Sequence, residues 1–145
     1  NCYKLSNVVI GSSTAAVNTT MYMFSGCASL TTVPLFNTAA VTDMSNMFNN
    51  CSGLSSVPVL VTTAVSSSAG FATIFTNCTS LARIRASNFR FTFSVGFCKL
   101  SATALNEIYT NLPTTTGQTI TVTGNYGIAS DNPAIATAKG WSIPP

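Results

Sequence analysis

The sequence predicts a leucine-rich-repeat solenoid, a parallel β ladder with short helical turns, closed by a small α/β C-terminal cap. Three observations predict it. First, MFSGCASLTTVP at 23–34, MFNNCSGLSSVP at 47–58 and IFTNCTSLARI at 74–84 share one frame, (Met/Ile)-Phe-x-x-Cys-x-x-Leu-x-x-(Val/Ile). Second, Cys27, Cys51 and Cys78 lie 24 and 27 residues apart, the period of units that bury a core only by stacking. Third, the repeat stops near Lys99, and a different pattern follows in the place where such an array needs an end unit. The expected division is 1–98, repeats with a truncated first copy, and 99–145, cap.

The elements follow in chain order. Cys2, Leu5 and Val8 fit the tail of a first copy, so the chain reads as opening in mid-repeat, with further repeats expected upstream. Stacking places like on like, which predicts a structural ladder of Phe24, Cys27 and Leu30, Phe48, Cys51 and Leu54, and Phe75, Cys78 and Leu81. Leu30 to Val33, Leu54 to Val57 and Leu81 to Ile84 are expected as short parallel strands. The stretch before each Met-Phe reads as a helical turn. Met44, Met47 and Phe48 stand at i, i+3 and i+4, with Thr42 or Asp43 as cap. The third copy carries three extra residues around Ser66–Gly70, expected to bulge as a loop. Phe89, Phe91 and Phe93 alternate with polar residues, which predicts one aromatic core face, and Phe97 is expected to join it.

In the cap, Ser101 is a good N-cap. Ala104, Leu105, Ile108, Tyr109 and Leu112 share a helical face, and Pro113 stops the helix. TITVT at 119–123 alternates as a strand, turned by Gly124-Asn125. Asp131 is expected to cap a second helix, Ala134 to Lys139, that ends at Gly140. Trp141 to Ile143 is a last short strand, completing a helix–strand–helix–strand order.

Composition narrows function. Six Lys/Arg, three Asp/Glu and no His make 6% charged residues, against about 25% in an average soluble domain. Ser, Thr and Asn fill the difference with 53 of the 145 residues. Without His, and with only Asp43, Glu107 and Asp131 as acids, His-based triads and most zinc sites are excluded. The three acids stand apart in sequence, so neither catalytic nor metal-ligating residues, and no cofactor, are expected. Scattered cations summing to a net +3 are a poor footprint for nucleic acid. No apolar run approaches the roughly 18 residues of a membrane helix. The chain begins at Asn1, with neither a starting Met nor a signal peptide, and reads as a mature or excised piece of something longer.

The frame VTDMSNMFNNCSGLSSV resembles the BspA-like leucine-rich repeats, in particular the Met-Phe-x-x-Cys variety of bacterial surface proteins, over residues 2–84. The C-terminal LSATALNEIYTNLP, TGQTITVTGNYG and IATAKGW are similar to the tails that close such arrays in phage and prophage structural proteins. The resemblance implies adhesion and surface display and supplies no catalytic residue. The expected function is a non-catalytic binding or display module of an extracellular protein. A phage virion appendage for host attachment, a tail fibre or head decoration, leads. A bacterial cell-surface adhesin and a purely architectural module are the alternatives. Expected partners are a host cell-surface glycan or protein, other virion or surface proteins, and further copies of the chain in a homo-oligomer, with no nucleic acid and no membrane insertion.

Candidate ligand-binding residues are Arg83, Arg85, Arg90 and Tyr126. Arg83, Arg85, Arg90 and Lys99 hold four of the six cations, and Arg83 and Arg85 flank Ile84 so that both point outward. Such a patch suits anionic groups; a plain solvated strand face is the competing reading. Tyr126 follows a turn and is the best placed of the aromatics to stack on a sugar, against a packed role in the cap. The five cysteines are expected as buried thiols, because neighbouring coils rarely offer disulfide geometry.

Overall fold

A computed structural model describes residues 2–11 and 17–145. Its organising feature is a hydrogen-bond ladder that runs from one coil of chain to the next. The N–H groups of Tyr22, Phe24 and Gly26 donate to the carbonyls of Ser45, Met47 and Asn49. Those of Asn46, Phe48 and Asn50 donate in turn to Ala72, Ile74 and Thr76. The alternate N–H groups, Met23, Ser25 and Cys27, close local turns onto Thr20, Tyr22 and Phe24. Half of the backbone donors thus bond within a coil and half bond across coils, which satisfies the backbone of a stack without long strands.

This arrangement corrects the expected helical turns. Met44, Met47 and Phe48 are fully buried, as the spacing predicts. Their backbone, however, is a run of turns with left-handed residues at Tyr22 and Gly26, Asn46 and Asn50, and Thr73 and Asn77. An α-helix keeps every N–H inside itself, whereas here each second N–H faces the neighbouring coil. Asp43 does not cap a helix; its Oδ1 accepts from Ser45 N at 2.8 Å in a tight turn, and Thr42 Oγ1 donates to Asn18 O.

Two parallel strands form between the second and third copies, β1 (Ser56–Val61) and β2 (Arg83–Ser87), with Val57 opposite Ile84. They begin after the ladder leucine rather than at it, and residues 30–33 form no strand. The extra residues of the third copy do not bulge freely: Ser68–Phe71 is a turn of 3₁₀ helix, and it buries Gly70 and Phe71. The Gly70 carbonyl receives Met44 N–H, which locks this insertion to the coil before it.

The expected ladder residues Phe24, Cys27, Leu30, Phe48, Cys51, Leu54, Phe75, Cys78 and Leu81 are all at most 4% exposed. Phe24, Phe48 and Phe75 stack at 5.6 and 5.9 Å between centroids with near-parallel rings. The aromatic line continues through Phe89 and Phe93 to Trp141, the last contact edge-on at 82°. Phe89 and Phe93 are core, with Phe91 half-buried against it. Phe97 is not: it is 61% exposed.

The C-terminal part continues the pairing. β3 (Phe93–Ser94), β4 (Gln118–Thr121) and β5 (Trp141–Ser142) form a parallel sheet in that order, so β3 joins the repeats to the last strands across residues 98/99. Between them, α1 (Ala102–Asn111) starts at Ser101, whose side chain accepts from Ala104 N, and buries Ala104, Leu105, Ile108 and Tyr109. A single turn, α2 (Ala134–Thr137), follows Pro133 at its cap position. Asp131 does not cap it, because its carboxylate accepts the Tyr109 hydroxyl at 2.6 Å. Burial and this bond raise the Tyr109 pKa. Lys139 reaches back to the carbonyls of Tyr109, Thr110 and Leu112, so one ammonium closes the C-terminal end of α1.

The cysteines divide. Cys2 and Cys27 form a disulfide, a correction to the expectation of thiols throughout. Stacked coils bring their Cα atoms to 4.6 Å, inside the range a disulfide spans. Cys51, Cys78 and Cys98 are buried thiols. Cys51 and Cys78 each donate at 3.0 Å to a carbonyl of the preceding coil, Phe24 and Phe48. Burial pushes Cys51 up to about 11 and Cys98 up to about 12, and raises Cys78 with help from its two thiol neighbours.

Candidate functional site

The alternation of β1 breaks at a register shift: Val57 and Leu60, three residues apart, are both buried, and Val59 between them is turned outside. Val33, Val57 and Ile84 point into the core, and two residues on, Leu35 and Val59 stand out in register, 74% and 45% exposed. Pro34 and Pro58 lie half-buried between the inward and outward positions. The result is an apolar ridge running across neighbouring coils. A groove of about 560 Å³ lies on one side, floored by Val33 and Val57 and bounded by Arg83 and Arg85. A second, of about 520 Å³, lies on the other, between Leu35, Val59, Ile10 and Phe36. Beyond it, Val9 is 90% exposed.

The candidate residues fall in three places. Arg83 and Arg85 share the first groove, as their spacing predicts. Arg83 is committed: its Nε and Nη2 form a two-pronged ion pair with Glu107 at 2.9 and 2.8 Å, which ties β2 to α1. The hydrogen bond from Arg83 holds the Glu107 carboxyl below its ordinary range. Arg85 is exposed at the rim. Arg90 is held elsewhere, donating to Thr63 O at 2.7 Å. Tyr126 lies after β4 and is 74% exposed, with Lys99 Nζ 6.0 Å from its ring centroid. The four cations therefore do not act as one patch.

Sequence reasoning missed the ridge, because apolar residues in a repeat frame are read as core. It also missed Asn125. The residue before each ladder cysteine is left-handed, at Gly26, Asn50, Asn77 and Phe97, and Gly124 repeats this before Asn125. Asn125 thus stands in the cysteine position of a further coil. It is 4% exposed, and its amide donates to Val95 O and Val122 O and accepts from Leu100 N.

No group of three or more Cys, Asp or Glu side chains able to hold a metal occurs among the described residues. None of their helices is long and apolar enough to cross a membrane. The described residues combine hydrogen bonds from coil to coil with an exposed apolar ridge and Arg85 at its rim. A family described as "Mycoplasma protein of unknown function, DUF285" matches residues 2–95, and the chain belongs to that family, which is related to the BspA-like repeat proteins. Neither a curated protein nor a solved structure matches the chain.

Proposed function

We propose that the chain is a BspA-like leucine-rich-repeat solenoid with an α/β cap, serving as a non-catalytic binding and display module on the outside of a virion. Its place is an appendage, a tail fibre or head decoration, that takes part in host attachment. The observation that carries the binding role is the ridge of Leu35 and Val59, exposed apolar surface held on a rigid stack and bordered by Arg85. Apolar side chains repeated outward at the same position of successive coils suit recognition by many small contacts. Low charge with abundant Ser, Thr and Asn suits an extracellular surface. The partner is a host surface glycan or protein, engaged by a homo-oligomer that multiplies weak contacts. The relation to the BspA-like proteins favours a second reading, a bacterial cell-surface adhesin.

The test is binding of the purified, fluorescently labelled chain to intact bacteria by flow cytometry. The reading expects saturable binding that Leu35→Asp with Val59→Asp reduces at least tenfold while the circular dichroism spectrum is kept. Absence of binding to every strain tried, or equal binding by a correctly folded double variant, would contradict it.

A further inference from the structure

The backbone position before each ladder cysteine, before Cys98 and before Asn125, which takes the cysteine place, is left-handed: Gly26, Asn50, Asn77, Phe97 and Gly124, with φ of 73°, 60°, 62°, 58° and 78°. Glycine and asparagine tolerate this conformation, and phenylalanine does not favour it. Phe97 is therefore the costly choice in this column, and its ring is not buried in return, being 61% exposed. The ring lies against Gly124 of the next coil, where an added Cβ would come within 2.6 Å of it. Gly124 makes room for the ring to lie across the neighbouring coil while the rest of it meets solvent. Two positions further along the same coils, Lys99 and Tyr126 form the adjoining column, both exposed.

The same edge carries amides. Asn77 Nδ2 donates to Asn50 Oδ1 at 2.9 Å, and Asn50 donates to Asn49, so exposed carboxamides run up the column toward Phe97. The three acids are each engaged by other groups: Asp43 is turned onto Ser45, Glu107 is paired with Arg83 and Asp131 holds Tyr109. Two exposed aromatic rings and a file of amides, with the Lys99 ammonium beside Tyr126, fit one ligand chemistry. Aromatic faces take the C–H face of a pyranose, and amides take its hydroxyls. Stacked coils repeat at about 4.8 Å, close to the rise of one pyranose unit along a chain.

We propose that Phe97 and Tyr126, with Asn50 and Asn77, form a subsite for a neutral polysaccharide lying along the stack. This deepens the binding-module reading and rests on it, but uses a different surface from the Leu35–Val59 ridge. Saturation-transfer NMR and calorimetry with cellohexaose, maltoheptaose and chitohexaose as probes test it on the full chain. The expected result is millimolar or tighter binding of at least one probe, weakened at least tenfold by Tyr126→Ala and by Phe97→Asn. Phe97→Asn installs the residue that the column uses at Asn50 and Asn77, so its thermal midpoint should equal or exceed that of the parent. Absence of binding by all three probes, or equal binding by Phe97→Asn, overturns the subsite. If labelled chain still binds cells in excess probe and with Phe97→Asn, the subsite alone fails and the ridge reading stands. A marked fall in the midpoint of Phe97→Asn with affinity kept would make Phe97 a structural cover for Gly124, and would overturn the proposal.

Discussion

Replacing Asn125 by alanine should destabilise the repeats and the C-terminal part together. Its side chain makes three hydrogen bonds, to Val95 O at 2.8 Å, to Val122 O at 2.7 Å and from Leu100 N at 3.0 Å. Val122 O keeps a second donor, the Asn125 backbone N–H, at 3.3 Å. The Leu100 N–H and the Val95 carbonyl lose this partner inside the protein. At about 1–1.5 kcal/mol for each bond removed and somewhat more where a buried group is stranded, the loss is about 3–4 kcal/mol. A domain near this size shifts its midpoint by about 2–4 °C per kcal/mol, so the melting temperature should fall by about 6–16 °C. Asn125→Asp keeps the acceptor for Leu100 but turns a carboxylate onto two carbonyls, and should be worse than alanine at pH 7. The assay is urea unfolding followed by far-ultraviolet circular dichroism and by the fluorescence of Trp141, the only tryptophan, which is 2% exposed and reports on the last strand. Both probes should move to the same lower midpoint. A loss under about 1 kcal/mol, well below the sum of three net bonds, or an aspartate variant as stable as the parent, would mean that these bonds do not hold the coils together.

Four further outcomes are expected. Cys51, Cys78 and Cys98 should resist a thiol reagent in the native state and all three should react in denaturant, since buried protonated thiols are poor nucleophiles. Their folded pKa values lie above the ordinary 9.0, so this stability is complete below pH 9 and is lost as pH rises toward about 11–12; an alkaline melting series should show the decline, and Cys98→Ala should flatten it. Lys139→Met leaves three carbonyls at the end of α1 without their ammonium and should cost about 1.5–3 kcal/mol in urea unfolding. Thr20→Val should be neutral or stabilising by up to about 2 kcal/mol, because Thr20 Oγ1 is buried without a hydrogen-bond partner among the described residues; a clear loss would contradict that account.

What was legible in the sequence was what the repeat writes several times. The Phe, Cys and Leu ladders recur at fixed offsets, and α1 carries both a serine cap and an apolar face. The turn ladder was not legible, because Met44, Met47 and Phe48 show the same burial period whether their N–H groups bond within the coil or across it. The signal that separates the two is the Gly or Asn before each ladder cysteine, a left-handed mark that a helix interior would not carry. Gly124 carries the same mark and places Asn125 inside the core, whereas position 97 is left-handed without a Gly or Asn, so the exposure of Phe97 was not legible. Asp131 was misread since a local cap and the distant Tyr109 compete for one carboxylate, and only folding brings Tyr109 near. The Cys2–Cys27 bridge was missed because sequence separation says little about Cα spacing in a stack. Of the candidate site, the outward placing of Arg85 was legible; for Tyr126 the turn before it pointed outward while its bulk favoured packing in the cap, and the ring is exposed. The Arg83–Glu107 pairing and the Leu35–Val59 ridge depended on which face of each coil the fold leaves open.

Immunogold electron microscopy would locate the protein and so decide whether it is displayed on an outer surface. An antibody raised against the folded chain should label phage particles at tail or head appendages. Gold on the envelope of intact bacteria with particles bare would replace the virion by the adhesin. Gold confined to the cell interior would contradict surface display altogether.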